Sequence, residues 1–394
     1  MEIAELKIDI EVYNGLTLKK GYEYVMSGAV MAQLSKLYPG AVVQSADFDN
    51  FYNKIDFYKI RDGEKLFLFR SGGIGDIMFM LPLIKLIKNY TRNVEIKVAT
   101  SPMYIDVLKN NPFIDKAIQM PFRRSELEKS DKHLIFEGVI EHKKEMSQVM
   151  HAVDLFLSEA NVNYKEISAN WKVPEIYLLD KEISKIKGEI SKMRIDKNLK
   201  KVGIQIEASS PIRTFPFEKN VDLINRLLDS GFSVFIFGSK RQEESGKYLN
   251  EIMAGRDNFV NLILPGKTLR DSIVYTSLMD IFVAPDSAFV HIAGALGIPI
   301  VGLYGCFPSL LRMKYYKNSV GIDCGVVCAP SFIHGHSACV RGFPSPCFSV
   351  VSVDDIMNSI NHLLKNKDIK KIYPTYNEFI DGELIESPFN DLVR

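Results

Sequence analysis

The stretch LFLFRSGGIGDIMFMLPLIKLIKNY, residues 66–90, decides the fold class. Leu66-Phe67-Leu68-Phe69 is a short apolar run of strand length. Ser71-Gly72-Gly73-Ile74-Gly75-Asp76 turns the chain, and Ile77–Tyr90 carries a helical apolar pattern. Glycines placed where a strand becomes a helix let backbone approach a ligand closely and leave the first helical amides free. Working outward, Val94–Ala99 reads as a strand, Met103–Asn110 as a helix and Lys116–Met120 as a strand. That order is βαβαβ, the signature of a doubly wound parallel sheet.

A second series follows the helical stretch Val149–Asn161 and the charged, exposed helix expected within Asp180–Lys200. It comprises strand Val202–Ile206, helix Asn220–Ser230, strand Ser233–Phe237 and helix Arg241–Ala254. Strand Val260–Leu264, helix Thr268–Ser277, strand Ile281–Ala284, helix Ser287–Leu296 and strand Ile298–Leu303 complete it. Thr268 and Asp271 have capping-box spacing. The expected class is α/β with two Rossmann-like domains facing a cleft. Residues 65–198 form the first domain and 199–365 the second. Residues 1–64, with alternating apolar and polar positions, an Asn14-Gly15 turn and an amphipathic stretch at Tyr22–Leu37, read as a small appended α+β module. Residues 366–394 are a tail.

The 394 residues carry 49 Lys+Arg against 48 Asp+Glu, a formal charge of +1. The near-zero charge argues against a generic polyanion binder held by bulk electrostatics and leaves a local basic groove open. No apolar run reaches the ~20 residues of a membrane span. Met1–Ile10 is acidic and alternating, unlike a secretory signal. A cytoplasmic chain with reduced thiols is the expectation.

Two loops carry chemistry. G-G-x-G-D is not the dinucleotide fingerprint G-x-G-x-x-G, which argues against a nicotinamide enzyme. Asp76 stands at the helix start beyond a strand's carboxyl end, where a general base works, and a helix-capping Asp is the competing reading. Asp286-Ser287-Ala288-Phe289-Val290-His291 follows a strand, so Asp286 or Ser287 can cap a helix whose free amides suit a diphosphate. His291 lies one turn beyond Ser287 and is either a ligand contact or a packed core histidine.

SGGIGDIMFMLPLIKLIK together with PDSAFVHIAGALGIPIVGLYG resembles glycosyltransferase family 9, the ADP-heptose:lipopolysaccharide heptosyltransferases, over about Leu66 to Ile356. The resemblance implies an inverting transferase of the GT-B fold, its first domain taking the acceptor and its second the nucleotide sugar, with an ADP-sugar favoured. It assigns Asp76 as the base and Arg213 as the cation that offsets leaving-group charge. Relatives carry Lys at this last position, so Arg213 is a departure. Arg still contacts phosphate well, in bidentate fashion. The donor set it implies is Gly73, Gly75 and Ser209, then Gly238, Glu243, Lys267 and Thr268, then Asp286, Ser287, Ala288 and His291, with Glu243 meeting the ribose. Enzymes of this kind need no catalytic metal, and no D-x-D motif stands where a sugar-nucleotide metal would bind.

Cys324, Cys328, Cys339 and Cys347 crowd one loop with spacing C-x3-C-x10-C-x7-C. Four thiolates suit a structural zinc or iron, and inert loop thiols are the alternative. The run resembles that of the autotransporter heptosyltransferases, which are thought to hold iron with it. Three acceptors compete: a glycan such as lipopolysaccharide core, a protein hydroxyl, and a modified DNA base. A reading from another class, a non-catalytic nucleotide- or glycan-binding protein on the same fold, stands beside them. The sequence leaves a homo-oligomer open.

Overall fold

Short, largely apolar runs become the strands of two parallel sheets, whose inner strands Lys65–Phe69, Ser233–Phe237, Ile281–Pro285 and Ile300–Tyr304 are buried almost throughout. The structure is a computed structural model that describes residues 1–12, 16–47, 55–147, 149–263, 267–325 and 346–365. The chain divides into two compact units. Of the described residues, the first holds those within Met1–Val139 and Phe156–Glu166, and the second those within Ile140–Leu155 and from Ile167 to Lys365.

In the first unit, β1 (Glu2–Leu6), β2 (Ile10–Glu11), β3 (Thr17–Leu18), β4 (Glu23–Met26) and β5 (Val42–Asp47) come first. They are followed by β6 (Lys65–Phe69), β7 (Glu95–Thr100), β8 (Lys116–Gln119), β9 (Phe122–Arg123) and β10 (Lys132–Ile135). β6 to β8 and β10 form a parallel sheet in the order β10-β6-β7-β8. The N-terminal strands form an antiparallel sheet, β5-β1-β4-β9, whose last strand comes from within the α/β region. Residues 1–47 therefore share a core with that region: Ile3 and Val25 pack in one cluster with Phe67, Phe69 and Phe122. The amphipathic stretch at Tyr22–Leu37 is β4 plus a helix, Gly28–Leu37, where Ser27 Oγ accepts from Val30 N at 3.2 Å.

The Ile74–Tyr90 helix is apolar nearly all round and correspondingly buried. The helix expected at Met103–Asn110 is a 3-10 helix, Pro102–Val107, started by Pro102. Asn110, with φ 62°, turns the chain soon after it.

In the second unit, β11 (Lys201–Gln205), β12 (Ser233–Phe237), β13 (Phe259–Asn261), β14 (Ile281–Pro285), β15 (Ile300–Tyr304) and β16 (Ser319–Asp323) form one parallel sheet. Its order is β13-β12-β11-β14-β15-β16. The Leu269–Ser277 helix has the expected cap, with Thr268 Oγ1 accepting from Asp271 N at 3.0 Å. β16 and the helix Val353–Lys365, which buries Val353, Ile356, Ile360 and Leu363, extend the unit beyond the expected elements. The Ile140–Leu155 segment is tied in by a buried ion pair, Asp154 with Lys172 at 2.7 Å, to which Tyr315 is hydrogen-bonded. The tail at 366–394 lies outside the described residues.

Candidate functional site

Both sheets have a point where strand order reverses, the place where open parallel sheets bind ligands beyond their strands' carboxyl ends. In the first unit it lies between β6 and β10. Arg70, just past β6 and 3% exposed, spans it. Its Nη1 donates to Phe136 O at 2.9 Å, its Nε to Gly72 O at 3.3 Å and its Nη2 to Asp76 Oδ2 at 2.6 Å. Ser71 N donates to the Glu137 carboxylate across the same gap. Asp76 is the third helical residue, yet it makes no capping bond to its own helix. Arg70 holds one carboxylate oxygen, while the side chain keeps 14% exposure. Gly73 makes this possible. Its φ is 65°, and a Cβ there would lie 2.7 Å from Asp76 Oδ2. The result is an oriented carboxylate with an open oxygen, the geometry of a general base. The sequence reading did not single out Arg70; its signal was a charged residue ending an apolar strand directly before the glycines.

In the second unit the reversal lies between β11 and β14. The loop after β11 supplies Ser209 and Arg213; β14 runs into Asp286. Arg213 Nη1 donates to Asp286 O at 3.0 Å and lies 3.6 Å from Asp286 Oδ2, an ion-pair distance. Its Nη2 donates to Ser209 Oγ at 2.8 Å. Among the described residues, Asp286 Oδ2 and Arg213 Nε are buried without hydrogen-bond partners. Ser287 is the N-cap residue of the helix Ala288–Ala295, but its hydroxyl donates to Gln205 rather than serving the helix amides. Three sequence-selected groups, Arg213, Asp286 and the amides from Ala288 onward, thus meet at an uncapped helix N-terminus, which favours an anion.

His291 is fully packed inside, its Nδ1 sharing a 2.9 Å hydrogen bond with the Tyr316 hydroxyl. Burial pushes its imidazole down to about 3, against the opposing pull of Asp286 and with Arg312 and Arg213 adding to the shift. It is neutral at working pH. The remaining expected donor residues sit elsewhere in the same unit. Gly238 packs closely under Ile263, where a Cβ would lie 2.9 Å from Cγ1. Glu243 pairs with Lys247 at 2.9 Å, Lys267 with Glu189, and Thr268 serves as the cap already described. Cys324 and Cys347 both flank Gly305: Cys324 Sγ donates to its carbonyl at 2.6 Å, and Cys347 Cβ lies 3.1 Å from where a Gly305 Cβ would be. Cys328 and Cys339 lie outside the described residues. Among the described residues, no group of three or more ligating side chains is gathered for a metal.

The family model of glycosyltransferase family 9 (heptosyltransferase) matches residues 113–336, more than half of the chain. Lipopolysaccharide heptosyltransferase 1 of Campylobacter coli is 22% identical over 304 residues, spanning 65% of this chain and 86% of that relative. Among solved structures, E. coli ADP-heptose lipopolysaccharide heptosyltransferase II superposes with a TM-score of 0.63 at 16% identity, covering 77% of this chain and 99% of that one. The iron-containing, dodecameric heptosyltransferase TibC from enterotoxigenic E. coli, in complex with ADP-D-β-D-heptose, gives 0.54 at 12% identity over 92% of this chain and 91% of its own. The fold is GT-B, and the protein is a glycosyltransferase. The chain belongs to glycosyltransferase family 9.

Proposed function

We propose that the chain transfers heptose from ADP-heptose to a hydroxyl of a glycan acceptor, with inversion at the anomeric carbon. The observation that carries this reading is the uncapped N-terminus of the Ala288–Ala295 helix beside Arg213 and Asp286. Amides and a fixed guanidinium there take the diphosphate's charge. Asp76 accepts the acceptor hydroxyl's proton as its oxygen bonds to the anomeric carbon. The anomeric carbon–oxygen bond to the β-phosphate breaks, and ADP leaves with the electron pair. Gly73 and Gly75 shape the base's loop. Ser209 orients Arg213, Asp286 meets the sugar, and the Ser287 and Ala288 backbone meets phosphate. Gly238, Glu243, Lys267 and Thr268 belong to loops at the nucleoside end. There Glu243 and Lys267 exchange Lys247 and Glu189 for ligand.

The relatives' names support the sugar and its nucleotide: two are lipopolysaccharide heptosyltransferases, and TibC is solved with ADP-heptose. A protein hydroxyl is the second reading, favoured by the cysteine run and by the TibC likeness extending over 92% of this chain. The same likeness, with Cys324 and Cys347 both at Gly305, supports a structural iron or zinc held by these two and by Cys328 and Cys339. A cytoplasmic setting with reduced thiols completes the proposal. The test is thermal unfolding against ADP-, UDP-, GDP- and CDP-sugars, followed by mass spectrometry of glycan, peptide and DNA acceptors. A shift confined to the ADP series with glycan transfer is expected. A shift confined to another nucleotide overturns the donor, and transfer to peptide or DNA overturns the acceptor.

A further inference from the structure

Arg312 is 5% exposed, deeper than is usual for an arginine. It lies in the short helix Leu310–Met313. Its Nη1 donates to Leu311 O at 3.1 Å and its guanidinium sits 4.1 Å from the centre of the Phe307 ring. No carboxylate lies within ion-pair distance of it among the described residues. Asp323 on β16 accepts instead from Ser309 N and Ser309 Oγ, both at 2.7 Å. Asp154 is paired with Lys172, and Asp286 with Arg213. A buried guanidinium with five N–H donors, one of them bonded among the described residues, carries a desolvation cost that an anion offsets.

The topology says where that anion lies. β14 and β15 are parallel neighbours, with Pro285 opposite Leu303, and Asp286 N donates to Leu303 O at 3.1 Å. Asp286 and the segment Tyr304–Phe307 therefore leave the sheet at one carboxyl edge. Arg312, stacked on Phe307, is brought to the edge that carries Arg213 and the uncapped amides. His291 and Tyr304, both buried there, each feel the charges of Asp286 and Arg312 together. The Tyr304 hydroxyl, Asp286 Oδ2 and Arg213 Nε are all buried without hydrogen-bond partners among the described residues. One sheet edge thus holds two guanidiniums, a buried hydroxyl and free helix amides, with one carboxylate already paired.

We propose that Arg312 is a second anion-binding group of this site and takes the donor's diphosphate together with Arg213. This rests on the donor reading above and adds to it a cation that the motif does not contain. The test is calorimetric titration of ADP and of inorganic pyrophosphate into the full chain and its R312M and R312K variants, with unfolding temperatures measured alongside. Loss of a charge-assisted contact predicts about ten- to hundredfold weaker binding of both ligands to R312M, with R312K falling between. A folded R312M that binds pyrophosphate as tightly as the parent overturns the inference; should R312M not fold, equal pyrophosphate affinity in R312K and R312Q overturns it. A lowered unfolding temperature with unchanged affinity assigns Arg312 a packing role and overturns it too. Arg312-dependent binding of pyrophosphate without binding of ADP keeps the anion site and removes the adenine donor. A parent protein that binds neither ligand removes both.

Discussion

Replacing Gly73 by Ala tests the base and its support at once. Gly73 has φ 65°, and a Cβ built on it would lie 2.7 Å from Asp76 Oδ2 and 3.2 Å from Asp76 Cγ. An L-residue at this φ costs about 1–2 kcal/mol, which lowers the unfolding temperature by only a few degrees, about 2–4 °C per kcal/mol in a unit of this size. The chemical effect is larger. The carboxylate cannot stay 2.7 Å from a methyl carbon, and moving it breaks the 2.6 Å bond to Arg70, which is itself fixed by Phe136 O and Gly72 O. Displacing a reacting group by ~1 Å costs about a hundredfold in rate. Gly73→Ala is therefore expected to lower kcat about a hundredfold while leaving ADP affinity within about twofold, because the proposed diphosphate groups, Arg213 and the Ala288–Ala295 amides, belong to the other unit. The assay is initial-rate transfer with titrated donor, run at a temperature where the variant is fully folded. A folded variant with kcat within a factor of about three of the parent would show that Asp76's position is not what the reaction uses.

Asp76→Asn should reduce kcat by about 10²–10⁴ with donor affinity unchanged, and near-parental turnover would remove Asp76 as the base. Arg213→Met should weaken ADP binding about ten- to hundredfold and Arg213→Lys less; equal binding by all three refutes its role at the phosphates. Burial holds His291 at about 3 and His151 well below its ordinary value, so both stay neutral when folded and take up protons on unfolding below about pH 6.5. The His291 contribution is complete above pH 6.5 and is lost as pH falls towards 3, at about 1.4 kcal/mol per pH unit, and His151 acts in the same direction. His291→Gln should flatten the fall in urea stability between pH 6.5 and 4.5, and an unchanged slope would contradict a neutral buried imidazole. Elemental analysis should find about one zinc or iron per chain, lost in Cys324→Ser and Cys347→Ser with a lower unfolding temperature; metal-free parent protein refutes the thiolate site.

The α/β alternation was legible because parallel strands buried on both faces read as unbroken apolar runs, as Leu66–Phe69 and Ile281–Ala284 do. The N-terminal sheet was not. Its fourth strand, Phe122–Arg123, is two residues long and comes from another part of the chain, so no local periodicity announces it. β16 was missed because its burial is only partial. The helix Val353–Lys365 had a readable spacing in Val353, Ile356, Ile360 and Leu363. Among the candidate residues, Asp286 directly follows β14, while Asp76 and Arg213 stand in the turns beyond β6 and β11, and motif spacing reaches all three. It does not reach Arg70 and Arg312, since their roles depend on partners far along the chain: Phe136 for Arg70, and for Arg312 the sheet edge it reaches over Phe307.

On the proposed reading, the departure at 213 from the lysine that the resemblance implies does not weaken the site. A lysine presents one ammonium on a flexible stem, while a guanidinium presents five donors in a rigid plane. Arg213 uses that plane to bond Asp286 O and Ser209 Oγ together. Fixing Asp286 O also fixes the entry into the Ala288–Ala295 helix, because Asp286 N is held by Leu303 O on β15. The side chain and the helix amides are therefore aligned by the same few bonds before any ligand arrives. An arrangement set in advance spends no reorganisation energy as charge develops on the leaving diphosphate, the condition under which fixed dipoles and cations accelerate a reaction most. Lysine at 213 keeps the charge and gives up that alignment. The Arg213→Lys variant should thus lose more in kcat than in ADP affinity, a split that a simple charge contact would not produce.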